Sequence, residues 1–424
     1  MNRPATILLL LKRVDCHDGV ASYLETLVSG LAALGDRVVI VSGNVNSLYG
    51  SEVRRRAIEA AVVDWVVLDD FSASRPKPAH LRRIVSVIEG QNVDVVSPQG
   101  FSVVPVGCLV ARLSGRPVVT NYLPSVQSSE VNTMTGELSV MQRLAYRLVA
   151  AACRSDRYIA MSSDLERFFN ASCGIPSKRI HKLVLGVETD FYRAPSEDER
   201  RKARARFGLD DATLVCVLPG RMNLNKGHDI AAASFRLLRE KRTDLGTVCL
   251  FPGGGDQRDK IEADVLRDDA DRASFRFLGF VDSLTLRDSY WAADIVLLPS
   301  RVEGFGLVVA EAMCCGAIVI RTPSGGWQDQ VVEGKTGYVV PFNDAVALAR
   351  AIEKVNDSAN RDDMRAEAMH HASIKFAKRT MIEGTAALYR EMAATNRVRH
   401  GDSSMAAIAV GFIRAMGRRA ARRP

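Results

Sequence analysis

No stretch of the 424-residue chain approaches the roughly 18 consecutive apolar residues that a membrane-spanning helix needs. The first apolar run, Ile7 to Leu11, is also too short for a signal-peptide core, and Lys12 and Arg13 follow it at once, so it reads as a first strand. Cysteine is scarce and scattered: the eight present form no C-x-x-C pair and no regular spacing, which excludes a zinc ribbon and a disulfide framework and fits a reducing cytosol. Excess charge is confined. The net +8 is largely a tail property, with seven arginines after Glu391 against one acid, Asp402. Such a tail seeks an anionic surface. Nucleic-acid modules interleave basic with aromatic residues, whereas this tail holds Phe412 alone, so no nucleic-acid partner is expected. What remains, 47% hydrophobic and 25% charged, is a globular composition long enough for two domains.

The most informative stretch runs from Ala293 to Gly316. Ile295 to Leu298 is wholly apolar, as expected of a parallel strand buried on both faces, and Pro299 and Ser300 close it. Glu303-Gly304-Phe305-Gly306 then leads into a helix-forming run, Leu307 to Cys315, that stops at Gly316. A strand, a glycine loop and a helix start together make an anion site, because unpaired N–H groups and the helix dipole point into the loop. Glu303 and Glu311, with seven residues between them, flank that site and would suit hydroxyls rather than phosphate. A ligand with a diphosphate in the middle and a sugar at each end would use every part. The plainer alternative makes Glu303 a helix cap and Glu311 a solvated helix residue.

A second constellation follows the strand Leu214 to Leu218, where Pro219-Gly220-Arg221 and Asn225-Lys226-Gly227-His228 form a glycine-flanked turn. Arg221 and Lys226 can converge on one diphosphate, the first as a planar fork and the second as a point charge; alternatively they are two surface cations. Apolar runs at Ala5–Leu11, Arg37–Ser42, Val62–Leu68, Val93–Ser97, Pro117–Thr120 and Tyr158–Met161 alternate with helical stretches, which argues for a doubly wound parallel sheet. Residues 122–137 are Ser- and Thr-rich and read as a loop beside a cleft. The charged run Ser196 to Arg206 reads as a solvated helix at the entrance of the second domain.

These segments resemble, in order, the E-x7-E and G-R-x4-K-G signatures of retaining, nucleotide-sugar-dependent glycosyltransferases of the GT-B fold, in particular glycosyltransferase family 4. The resemblance spans roughly Ala5 to Met392 and is most specific in the second half. It implies an α/β protein of two Rossmann-like doubly wound domains facing a cleft: an acceptor-side domain (1–188), a donor domain (189–376), then a return helix and basic tail (377–424). Glu303 would lie beside the donor sugar and Glu311 would hold the ribose. Gly304, Phe305, Gly306 and Leu307 would supply loop contacts, Gly220, Arg221 and Lys226 the phosphate site, and Gly279-Phe280-Val281 the nucleobase-facing loop. Glu303, Arg221 and Lys226 would be the catalytic set. Gly19 matches the second glycine of the family's first turn; Asp18 replaces its partner. Leu185 departs from the asparagine of N-G-V-D-x-x-x-F, Asp329 stands where glutamate is usual, and Tyr122 replaces a common histidine on the acceptor side.

The function so implied is transfer of a hexose-type sugar to a saccharide, lipid-linked or small-molecule acceptor in bacterial cell-surface glycan or glycolipid synthesis. No cofactor is expected, since protein cations would neutralise the leaving diphosphate; the Asp269-Ala270-Asp271 run reads as a solvated segment, not a metal site. A GT-B phosphorylase, a nucleotide-sugar epimerase and a non-catalytic nucleotide-binding scaffold are the alternatives. The expected location is cytoplasmic, peripheral on the inner face of the membrane. There Met405, Ile408, Phe412 and Met416 would form an apolar stripe among the arginines of the tail.

Overall fold

The computed structural model describes residues 3–15, 19–46, 52–73, 75–121 and 140–400. Tyr122, the loop around it and the tail beyond residue 400 lie outside the described residues.

Thr6–Leu11 (TILLLL) is buried at all six positions, the condition for a central parallel strand covered on both faces. It pairs with Arg37–Ser42 on one side and Val95–Gln99 on the other. The first sheet has seven parallel strands, in the order Asp64–Val67, Arg37–Ser42, Thr6–Leu11, Val95–Gln99, Val119–Asn121, Arg157–Ala160, Ile180–Lys182. The second has six, in the order Phe275–Gly279, Thr247–Pro252, Leu214–Val217, Ile295–Leu298, Ile318–Arg321, Gly337–Val339. In both, the order runs outward one way from the first strand and then reverses. The crevice at such a reversal, outside the carboxyl ends of the strands, is where open α/β sheets hold ligands.

The final helix, Lys378–His400, returns to the first domain: Tyr389, fully buried, shares a 2.8 Å hydrogen bond with Ser97, and Arg390 donates to Asp36 at 3.0 Å. One apolar cluster runs from Leu9 and Leu27 through Leu185, Tyr192 and Met381 to Val296 and Phe376, so the two domains share a core.

Helix Glu197–Arg206 corrects the expectation of a solvated element. Ser196 and Glu199 form a capping box at its start. Its inner face is docked by charge: Arg200 donates to the Asp294 carboxylate at 2.8 Å, and Arg204, buried, reaches Asp294 and the carbonyls of Asp210, Thr213 and Ala292. Asp294 also accepts from Arg365, in helix Arg361–Lys375, and from the Val215 amide, tying both helices to the central strands.

Candidate active site

The strand Leu214–Val217 ends at the reversal point of the second sheet and delivers Gly220 and Arg221, followed by a 3-10 turn, Leu224–Lys226. Gly227 then takes φ +75°, and a Cβ there would stand 2.3 Å from the Pro299 carbonyl oxygen. Only glycine allows that approach. It seats the Lys226 turn against the end of the neighbouring strand Ile295–Leu298, which leads into the Glu303 loop. Lys226 Nζ donates to Glu303 Oε2 at 2.6 Å, with the side chains only 12% and 7% exposed. The second oxygen of Glu303 accepts from the Gly304 amide at 3.2 Å. Glu303 is therefore not the cap of the following helix, Leu307–Cys314; Gly306 is, with φ +79° and no side-chain partner for the first amides. Arg221 is half-buried, and among the described residues no carboxylate pairs with it. The site thus presents a cation without a counter-ion, a cation held by a carboxylate, and a helix start with uncapped amides.

The loop carrying Glu303 is fixed from behind by a residue that no motif announced. Arg321, at the end of strand Ile318–Arg321, is fully buried and donates to the carbonyls of Phe305 (3.4 Å), Thr322 (3.2 Å), Ser324 (2.9 Å) and Gly325 (2.9 Å) and to Gln330 Oε1. Burial lowers its guanidinium to about 10, and the charges of Glu303 and Asp164 oppose that shift. Gln330 in turn donates to the Gly306 carbonyl at 3.0 Å. A Cβ on Gly325 would lie 2.4 Å from the Glu303 carbonyl oxygen, so the two loops touch backbone to backbone.

The same 324–330 segment docks on the first domain. Asp164 accepts from the Gly326 amide at 2.8 Å, and Asp329, buried, accepts from the Ser163 amide (2.6 Å), the Ser163 hydroxyl (2.9 Å) and Lys182 (2.8 Å). Burial raises the Asp329 carboxyl, but Lys182 and Ser163 outweigh it and hold the group below its ordinary value. Aspartate in place of the usual glutamate therefore has a complete set of partners.

Glu311 is the fifth residue of its helix and faces inward, accepting from Tyr290 Oη at 3.0 Å. Burial raises its carboxyl from 4.5 to about 7, against the opposing effects of hydrogen bonds from Tyr290 and Tyr192 and the charge of Arg54. A carboxyl whose folded pKa lies above its unfolded one loses stability as pH rises through that window, because only the unfolded state ionises freely. Glu311→Gln should therefore gain stability relative to the parent between pH 5 and pH 8, by about 1–3 kcal/mol. Urea unfolding of both chains at the two pH values checks this; a constant difference would mean that Glu311 is ionised throughout.

At the far side of the crevice the loops after three strands are sewn together, with the Gly253 amide donating to Gly279 O (2.8 Å), Gly220 to Pro252 O (3.0 Å) and Met222 to Gly254 O (2.9 Å). Phe280, 54% exposed, lies over Gly254, where a Cβ would be 2.4 Å from its ring; Val281 follows it in the loop. Gly19 opens the first helix of the first domain, Gly19–Ala33. Of the Asp269-x-Asp271 pair, Asp269 is exposed as expected, but Asp271 is not solvated: it is buried against Arg236, which donates at 2.8 Å, and Asp268 caps its helix.

Two doubly wound domains with this loop pair at the reversal point of the second are the architecture of GT-B glycosyltransferases. The chain belongs to glycosyltransferase family 4. The family profile described as "Glycosyl transferases group 1" matches residues 199–371, and that described as "Glycosyltransferase Family 4" matches residues 17–191. The chain is 32% identical to a GDP-mannose-dependent alpha-(1-6)-phosphatidylinositol monomannoside mannosyltransferase of Mycolicibacterium smegmatis, over 79% of this chain and 84% of the relative. It is 30% identical to D-inositol 3-phosphate glycosyltransferase 1 of Catenulispora acidiphila, over 70% and 72%. With a Streptomyces avermitilis and a Jonesia denitrificans D-inositol 3-phosphate glycosyltransferase the match spans 62% and 47% of the relative's length. In three dimensions it resembles Anabaena Alr3699/HepE, crystallised in complex with UDP, with a TM-score of 0.75 at 18% identity over 91% of this chain and all of that one. It also resembles WaaG, a glycosyltransferase involved in lipopolysaccharide biosynthesis, with a TM-score of 0.64 at 17% identity over 90% and 99%.

Proposed function

We propose that the chain transfers a hexose-type sugar from a nucleoside diphosphate sugar, with retention of anomeric configuration, to a saccharide, lipid-linked or small-molecule acceptor. The observation that carries this reading is the convergence of Arg221, the Lys226–Glu303 pair and the helix start at Gly306 on one crevice. The diphosphate would take the Arg221 fork and Lys226, with the Gly306–Leu307 amides beside it. Lys226 then exchanges one anion for another, which releases Glu303 to a sugar hydroxyl. Glu311 would accept from the ribose, and the loop of Gly279, Phe280 and Val281 would face the base. The bond from the anomeric carbon to the phosphate oxygen breaks, the acceptor oxygen bonds to the same face, and its proton passes to the departing phosphate. Fixed cations and amides stabilise the charge that develops there, so no divalent metal is needed. The names of the relatives support a nucleotide donor: one is GDP-mannose-dependent, and one structural neighbour is held in complex with UDP.

Nucleoside diphosphate release, followed with a panel of donors, should depend on added acceptor and persist in excess chelator. Release that stops with chelator and returns with magnesium or manganese would contradict the metal-free reading. Release indifferent to acceptor would contradict transfer.

A further inference from the structure

Helix Val140–Ala152 turns an unusual face outward. Val140, Met141, Leu144 and Leu148 are 81%, 72%, 49% and 62% exposed, and no other helix among the described residues exposes four large apolar side chains. At about 100° per residue, these four with Ala151 and Ala152 occupy one continuous arc of about 120°. Arg143 and Arg147, both exposed, lie along one edge of that arc, and Arg154 continues the row past the helix end. Between Leu138 and Ser155 the sequence contains no acid. The opposite side of the helix already serves the fold: Tyr146 meets Phe168 ring to ring at 5.2 Å, Ala150 packs on the Phe168–Phe169 cluster, and Cys153 packs against a neighbouring core. The outward stripe is thus not consumed by the domain's own core.

An apolar arc bordered by cations, lying flat on the protein, matches the boundary of an anionic bilayer: alkyl chains enter the acyl region while guanidinium groups meet lipid phosphates. A second copy of the chain is a poorer occupant. Self-pairing would bring the same arginine row face to face with no carboxylate in the segment to offset it. The helix leads directly into strand Arg157–Ala160, which is parallel to its neighbours, so it runs back along the first sheet and its first turn, with Val140 and Met141, lies toward the carboxyl ends of the strands, the side on which open α/β sheets hold ligands.

We infer that the exposed face of Val140–Ala152 docks the first domain on an anionic membrane, so that the acceptor reaches the cleft from the lipid surface. The inference rests on the donor-site reading above and adds the acceptor's chemical class, a lipid-borne one. It is separate from the expectation placed on the tail, which lies outside the described residues.

The experiment uses the full chain with vesicles of phosphatidylcholine alone and of phosphatidylcholine with phosphatidylglycerol. The parent should float with the anionic vesicles and remain below with the neutral ones. Leu144→Ser with Leu148→Ser should reduce recovery at least tenfold, and Arg143→Glu with Arg147→Glu, which leaves the apolar stripe intact, should do the same. Calorimetric binding of a soluble nucleoside diphosphate should be unchanged in both variants, which confirms folding and keeps the donor site separate from the docking face. Undiminished flotation of the two variants would overturn the inference. So would a parent that is dimeric by light scattering and becomes monomeric in the serine variant, since a second copy would then cover the stripe.

Discussion

Glu303→Gln should lower turnover by about 10²–10³-fold while leaving nucleoside diphosphate binding unchanged or tighter. The asymmetry follows from the 2.6 Å contact between Lys226 and Glu303. Glutamine keeps the shape and removes the charge that competes with phosphate for the lysine. The carboxylate's contribution to the transition state, beside a sugar that gains positive charge, disappears at the same time. Steady-state kinetics together with calorimetry of the free nucleotide separate the two effects. If binding fell in parallel with turnover, Glu303 would be organising the phosphate site rather than acting on the sugar.

Arg321→Met should cost about 3–5 kcal/mol of stability, on the order of 10 °C in the thermal midpoint. Methionine relieves the burial of a cation, but it leaves the Thr322, Ser324, Gly325 and Phe305 carbonyls and Gln330 Oε1 without their donor inside the protein. Orphaned acceptors outweigh the gain. Arg321→Lys keeps the charge, yet three donors on one nitrogen cannot reach the same set, so about half the loss should remain. Both variants should also lose turnover, since the Glu303 loop rests on these bonds. A methionine variant as stable as the parent would show that the 322–330 loop holds itself.

What the sequence made legible was what depends on local pattern. Ile295–Leu298 and Thr6–Leu11 are continuous apolar runs because parallel strands bury both faces, and the glycine turns at Gly220–Gly227 and Glu303–Gly306 follow the two neighbouring central strands of the second sheet. Pairing across long separations was not legible. Lys226 and Glu303 are 77 residues apart, and the resemblance assigns each to a different part of the donor, with no sign that they pair. Arg321 closes an apolar strand without any motif, so nothing in its neighbours signals that six acceptors converge on it. The same blindness applies to Glu197–Arg206, whose charge run looks solvated until Asp294 is placed beneath it. The spacing from Glu303 singles out Glu311, but Tyr290 and Tyr192, which face it, belong to segments that carry no signature.

The central assignment is that this crevice holds a nucleoside diphosphate through Arg221 and Lys226, and calorimetric titration of Lys226→Ala against the parent with UDP and GDP tests it most directly. Removing the lysine takes away one charge-assisted contact, about 1.5–3 kcal/mol, and leaves Glu303 unpaired beside the phosphate. The dissociation constant of whichever nucleotide the parent binds should rise at least tenfold and up to about a hundredfold; an unchanged constant would place the nucleotide elsewhere and contradict the assignment.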